Sequence, residues 1–159
     1  LKFRKMYDGA TGAPLTKAGD ERFTRVGRLL AASKLDELPQ LWHVLTGEMS
    51  LVGPRPESAG FVARHAAAYH ERILTVRPGI FGLSQLAFAK ESGVLDPSDP
   101  VGHYVRRILP QKVALDSLYA ERAGLWLDAR ILFWSFVAVV LRRAVAVDRR
   151  TAALGLRRR

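Results

Sequence analysis

The sequence predicts an α+β fold: a single, mostly helical domain with a few short strands and with amphipathic helices suited to a membrane surface. Three observations carry that expectation. Apolar residues recur at helical spacing, as in Phe23, Val26, Leu29 and Leu30, and again in Leu38, Leu41, Trp42 and Leu45. Two short stretches, 1–7 and 49–52, read as strands. No glycine fingerprint of a dinucleotide-binding sheet is present. The 159 residues fit one domain, and a domain of that size buries about 68–70% of its unfolded surface.

Taken in order, residues 1–7 interleave Lys2, Arg4 and Lys5 with Phe3 and Met6, as a short strand does. Gly9, Gly12, Pro14 and Gly19 mark 8–19 as a loop. Asp20 is placed to N-cap a helix over 21–32, with its apolar stripe buried. A short helix starts near Asp36 and stops before Gly47. After the strand-like 49–52 comes Gly53-Pro54-Arg55-Pro56, whose prolines hold Arg55 out on a rigid turn. Residues 60–72 read as a surface helix, and the five-residue spacing of His65 and His70 does not put them on one face as metal ligands. Pro78-Gly79 favours a tight reversal over 76–80.

Asp99 as N-cap and Pro100 at the first helical position open a helix toward Arg122, kinked at Pro110 and carrying Asp116 and Tyr119. Gly124 separates it from an apolar helix over 125–141 that contains Asp128 and Arg130. The uninterrupted apolar part, 131–141, falls short of the roughly 20 residues that cross a bilayer. With Trp126, Phe133, Trp134 and Phe136, it reads either as a helix lying at a membrane surface or as a core helix.

Composition narrows the chemistry. Cysteine is absent, which excludes disulfides, thiolate metal sites and a cysteine nucleophile. The formal charge of +10 favours an anionic partner: nucleic acid, acidic lipid or a phosphorylated substrate. Seven arginines fall within 142–159, suited to anionic headgroups or to a solvated tail. No recognition helix or aromatic–basic motif supports nucleic acid.

The stretch 33–57, SKLDELPQLWHVLTGEMSLVGPRPE, concentrates the reactive groups. Asp36 and Glu37 sit at a helix start, where unpaired N–H groups welcome both carboxylate and phosphate. An ionised aspartate can attack phosphorus. Glu37 offers a hard oxygen ligand for Mg²⁺, and Arg55 a two-pronged phosphate grip. In isolation the Asp-Glu pair reads equally as a favourable helix start.

Residues 35–57 resemble the signature of the bacterial sugar transferases, monotopic phosphoglycosyl transferases that begin membrane-linked glycan assembly. The likeness continues at Lys2-Phe3-Arg4-Lys5-Met6, Gly27-Arg28, Arg77-Pro78-Gly79-Ile80 and Trp126-Leu127-Asp128. It implies transfer of a phospho-sugar from a UDP-sugar to a polyprenyl phosphate, undecaprenyl phosphate, at the cytoplasmic face of the bacterial inner membrane. Asp36 would be the nucleophile and Glu37 the Mg²⁺ ligand. Arg55, Lys2 and Arg77 would face phosphate or nucleotide, and Asp128 would orient a basic residue or assist the metal, with a helix-capping or salt-bridged role standing equally beside that assignment. For Lys2 and Arg77 an ordinary solvated surface role stands beside that assignment.

Two departures from the family pattern stand out. Members usually carry a membrane-inserted helix just before the position of Leu1, so residues 1–147 read as an N-terminally truncated catalytic domain and 148–159 as a basic tail. An arginine usual five residues before the aspartate is here Ala31, with Lys34 or Arg28 as possible substitutes. Both departures motivate an alternative: a catalytically impaired relative that only binds at a membrane surface. Of the family's pattern after Phe81, only Gly82 and Gln85 are retained.

Overall fold

A computed structural model describes residues 1–12, 19–57, 60, 71–89, 96 and 98–157. The predicted helix over 60–72, with His65 and His70, lies almost wholly outside them. The described residues form helices with a few short strands, as the α+β expectation held. The first helix, α1, is Arg25–Ser33. A single tight turn, Leu35–Glu37, leads into α2, Gln40–Leu45. Strand β1, Ser50–Val52, pairs in parallel with β2, Gly79–Phe81, in the register Ser50 to Gly79 and Val52 to Phe81. Helix α3 is Leu83–Ala87, and α4 is Pro100–His103. A wide π-helical segment, Tyr104–Ile108, joins α4 to α5, Leu109–Arg122. Helix α6 is Leu125–Val139, and β3, Val145–Val147, pairs antiparallel with β4, Leu154–Leu156.

The core gathers where α3, α5 and α6 meet β1 and the β3–β4 hairpin. Val52, Leu83, Leu86, Leu115, Tyr119, Leu127, Ile131, Val145 and Ala152 are all buried there. A smaller cluster of Tyr104, Ile108 and Leu109 adjoins it. Strands β1 and β2 approach so closely that a Cβ on Gly79 would stand 2.0 Å from the Gly53 nitrogen. Only glycine permits that contact, and it fixes the base of the Pro54-Arg55-Pro56 turn.

Several expectations are corrected. Residues 1–7 are extended but not a strand, since their one β contact is an antiparallel bridge from Met6 to Phe23. That bridge keeps Phe23 and Thr24 out of the helix, so α1 starts later than expected, capped by Thr24, whose Oγ1 accepts from the Gly27 N–H at 2.8 Å. Asp20 instead binds the backbone and guanidinium of Arg22. In place of a reversal over 76–80, residues from Gly79 enter β2, because β1 offers them a partner.

Asp99 does cap α4, accepting from the Gly102 N–H at 2.8 Å. The disruption expected at Pro110 falls just before it: proline lacks the N–H that Arg106 would receive, and the helix widens over Tyr104–Ile108. Helix α6 packs into the core along one face and leaves aromatic and aliphatic side chains exposed on the other. Leu127, Ile131, Ser135 and Val137 are buried, whereas Leu125, Trp126, Phe133 and Phe136 are exposed. No helix among the described residues is long and apolar enough to cross a membrane. The division drawn at 147 falls inside the hairpin, where the Asp148 carboxylate accepts from the N–H groups of Arg150 and Thr151.

The largest difference concerns α1 and α2. Leu38, Leu41, Trp42 and Leu45 share a face as predicted, but that face is exposed, as are Val26 and Leu29. The inward positions are Asp36, Gln40 and Gly27. Periodicity identifies a shared face; it does not say which face packs inward.

Candidate functional site

The extended segment 1–7 lies across the turn that carries the acidic pair. Its Phe3 N–H donates to the Asp36 carbonyl at 3.0 Å, and the Lys5 carbonyl accepts from Thr24 at 3.0 Å. Beside Lys5, a Cβ on Gly27 would stand 1.9 Å from the Lys5 carbonyl oxygen, so α1 and the segment touch backbone to backbone. This places two lysines over two carboxylates. Lys5 Nζ donates to Asp36 Oδ2 at 2.8 Å, and Lys2 Nζ donates to Glu37 Oε1 at 2.9 Å. Arg55, projected by its proline-flanked turn, donates to the same Oε1 at 2.5 Å.

Asp36 is only 1% exposed, and the cation touching it is Lys5. The acidic pair does not sit in the first turn of one longer helix. It occupies the Leu35–Glu37 turn, with Pro39 preceding α2, and the Asp36 carboxylate is held by the Lys5 ammonium. Burial opposes ionisation of Glu37, but Arg55 and Lys2 outweigh it and bring its carboxyl down to about 2. Burial likewise opposes charge on Arg55, and Glu37, Glu57 and Asp36 overcome it and raise its pKa. Lys2 is lowered, by burial first and then by Arg55. An open pocket of about 260 Å³ has Lys2, Gln40, His43 and Arg55 among its walls, so both cations of Glu37 face it.

Glu37 fits a divalent cation in part. Both basic partners use Oε1, and among the described residues Oε2 receives no hydrogen bond. The described residues hold no cluster of three acidic or histidine side chains that would coordinate a metal by themselves. Mg²⁺ commonly takes one or two carboxylates and completes its shell with substrate phosphates and water.

Lys2, Asp36, Glu37 and Arg55 thus come together, whereas two predicted residues stand elsewhere. The Arg77 guanidinium donates to the Gly47 carbonyl at 3.3 Å. Asp128 lies in the first turn of α6 and accepts from the Tyr119 hydroxyl at 2.8 Å; that hydroxyl also lies 3.2 Å from the Val52 carbonyl. Burial, then Asp128, raises the Tyr119 pKa. Asp128 therefore holds the Tyr119 hydroxyl, which in turn lies against β1.

Sequence reasoning missed Lys5 and a second polar cluster. The Tyr104 hydroxyl donates to Glu57 Oε1 at 2.7 Å, and Lys112 Nζ lies 3.1 Å from that hydroxyl. Glu57 stands two residues beyond Arg55 in the quoted motif, which was the available signal. Nearby, Asp116 is 4% exposed and its Oδ1 has no hydrogen-bond partner among the described residues. Burial pushes it up to about 7, against the Ser84 donors and Lys112, which favour the charged form.

Comparison with known proteins bears on this arrangement. The family described as bacterial sugar transferase matches residues 1–142. A UDP-glucose:undecaprenyl-phosphate glucose-1-phosphate transferase of Caulobacter vibrioides is 37% identical over 141 residues, covering 83% of this chain and 47% of its own. A UDP-N-acetylgalactosamine-undecaprenyl-phosphate N-acetylgalactosaminephosphotransferase of Aeromonas hydrophila is 37% identical, covering 83% of this chain and 29% of its own. An exopolysaccharide production protein of Rhizobium leguminosarum is 35% identical over 89% of this chain and 70% of its own. The chain spans less than half the length of the first two relatives.

Proposed function

The chain belongs to the bacterial sugar transferase family, and from that premise we propose that it transfers a phospho-sugar from a UDP-sugar to undecaprenyl phosphate through a covalent aspartyl intermediate. The observation that carries the proposal is the pairing of adjacent Asp36 and Glu37 with separate lysines, Arg55 closing on Glu37 from its rigid turn. A carboxylate must approach an anionic diphosphate, and three cations within one cluster offset that repulsion.

In the first step an oxygen of Asp36 bonds to the phosphorus that bears the sugar. The bond from that phosphorus to the bridging oxygen breaks, and UMP leaves with the electron pair. In the second step an oxygen of the lipid phosphate bonds to the same phosphorus and the bond to Asp36 breaks. Lys2 and Arg55, on the pocket wall, hold the donor's phosphates. Glu37 would hold Mg²⁺ through the oxygen its basic partners leave open, and the bound ion would supply Lewis-acid stabilisation of the departing phosphate.

The exposed apolar rows of α1, α2 and α6 and the arginines of the β3–β4 hairpin support seating on an anionic membrane, at the cytoplasmic face of the bacterial inner membrane. Nucleic acid has no place in this reading.

The test is Asp36→Asn in the full-length protein, reconstituted with a UDP-sugar and undecaprenyl phosphate. UMP release is expected to stop, and mass analysis of the parent protein quenched with donor alone should place a phospho-sugar on Asp36. A fully active Asp36→Asn protein would remove the aspartate from the nucleophile's role.

A further inference from the structure

The reaction as described leaves Lys5 without a part, although it is the one cation in contact with Asp36 among the described residues. We infer that Lys5 is a positioning residue for the nucleophile. Its ammonium holds Asp36 Oδ2, so that Oδ1 is the oxygen presented to phosphorus. The inference rests on the proposed role of Asp36 and deepens it.

Four features of the geometry support it. First, the two carboxylates do not share a cation: Lys2 and Arg55 take Glu37, and Lys5 takes Asp36. Second, the contact is one-sided. Oδ2 accepts from Lys5 at 2.8 Å, and Oδ1 receives no hydrogen bond from a described residue. A carboxylate gripped at one oxygen has its other oxygen aimed.

Third, the Lys5 backbone is fixed at both flanks, by the Thr24 N–H on its carbonyl and by the close approach of Gly27. Its side chain then runs past the Phe23 ring, with Nζ 5.7 Å from the ring centre, a cation–π distance. The ammonium reaches Asp36 from a seated stem rather than from a free surface chain; its side chain is only 30% exposed. Fourth, Ala31 brings no charge to the acidic pair, so the segment 1–7 supplies the cation on Asp36.

The same ammonium has a use after the first step. Once Oδ1 carries the phosphoryl group, Lys5 remains beside the carboxyl that must later leave, where its positive charge stabilises the departing carboxylate. No proton needs to move: Lys5 stays an ammonium in both steps, and charge is balanced by the bonds already described.

Lys5→Met and Lys5→Arg are compared with wild type and Asp36→Asn in the full-length membrane-reconstituted protein, with melting temperature recorded for each. Lys5→Met should lower kcat for UMP release by about 10- to 100-fold, the reach of one hydrogen bond to a charged group, while the donor KM stays within about threefold. Lys5→Arg should recover most of the rate. If Lys5→Met keeps its kcat while Asp36→Asn is inactive, Lys5 has no positioning role and the assignment of Asp36 stands. If Asp36→Asn itself turns over, the failure belongs to the proposed nucleophile instead. Should Lys5→Met fail to fold, Lys5→Gln replaces it, and a folded Lys5→Gln protein with undiminished kcat overturns the inference.

Discussion

Asp116 offers a quantitative test through pH, because its surroundings penalise its charge. Its carboxyl is buried on α5 with Oδ1 unpartnered among the described residues, and burial moves its pKa from 3.8 to about 7. Below pH 4 the group is protonated in both folded and unfolded chains and costs nothing. As pH rises from 4 to 7 the unfolded chain ionises while the folded one does not, so stability drains away; above 7 the loss is complete. Three pH units at about 1.4 kcal/mol each give a loss of roughly 4 kcal/mol. For a domain of this size that corresponds to about 10 °C in melting temperature.

Asp116→Asn cannot ionise. Its carbonyl retains the Ser84 donors, while its amide, placed where Oδ1 stands, has an unmet donor that costs about 1–3 kcal/mol. The variant should therefore be the less stable protein at pH 4 and the more stable one at pH 8. The assay is thermal unfolding of both proteins at half-unit pH steps from 4 to 8. Parallel curves for the two across pH 4 to 7 would refute the reasoning.

Two further predictions follow from the site. Gly27→Ala must push the Lys5 carbonyl away from α1, displacing both lysines from the acidic pair; UMP release should fall by about 100-fold, as for an ångström-scale misplacement, with far UV circular dichroism unchanged. Glu37 behaves oppositely to Asp116: its pKa is lowered from 4.5 to about 2, so its contribution is full above 4.5 and disappears as pH falls to 2. Glu37→Gln should consequently flatten that acid-side loss by about 2 kcal/mol, read from the denaturant midpoint at pH 6 against pH 3.

What the sequence revealed was mostly local. Asp99 and Pro100 announce a helix start because capping involves neighbours only, and the structure has the cap where expected. Arg55 and Glu37 lie 18 residues apart within one motif, and they meet. Lys5 and Asp36 are 31 residues apart, and nothing in the spacing of either announces their contact. The same limit governs α2. Leu38, Leu41, Trp42 and Leu45 obey helical spacing, but burial went to Asp36 and Gln40, because the basic segment packs on that side. Asp116 gave no local signal, since its shift comes from Leu109–Arg122 docking onto α3 around Ser84.

The hydrophobic centre and the reactive centre are drawn from different parts of the chain. Every fully buried apolar side chain among the described residues lies at Val52 or beyond, whereas two of the three cations on the acidic pair come from the first five residues. A chain lacking residues 1–7 would keep its hydrophobic interior and a helical spectrum, yet miss two of the three cations on the acidic pair. Preparations of this protein therefore have to be judged by the proposed transfer activity, because spectroscopic intactness does not report on the segment that completes the acidic centre.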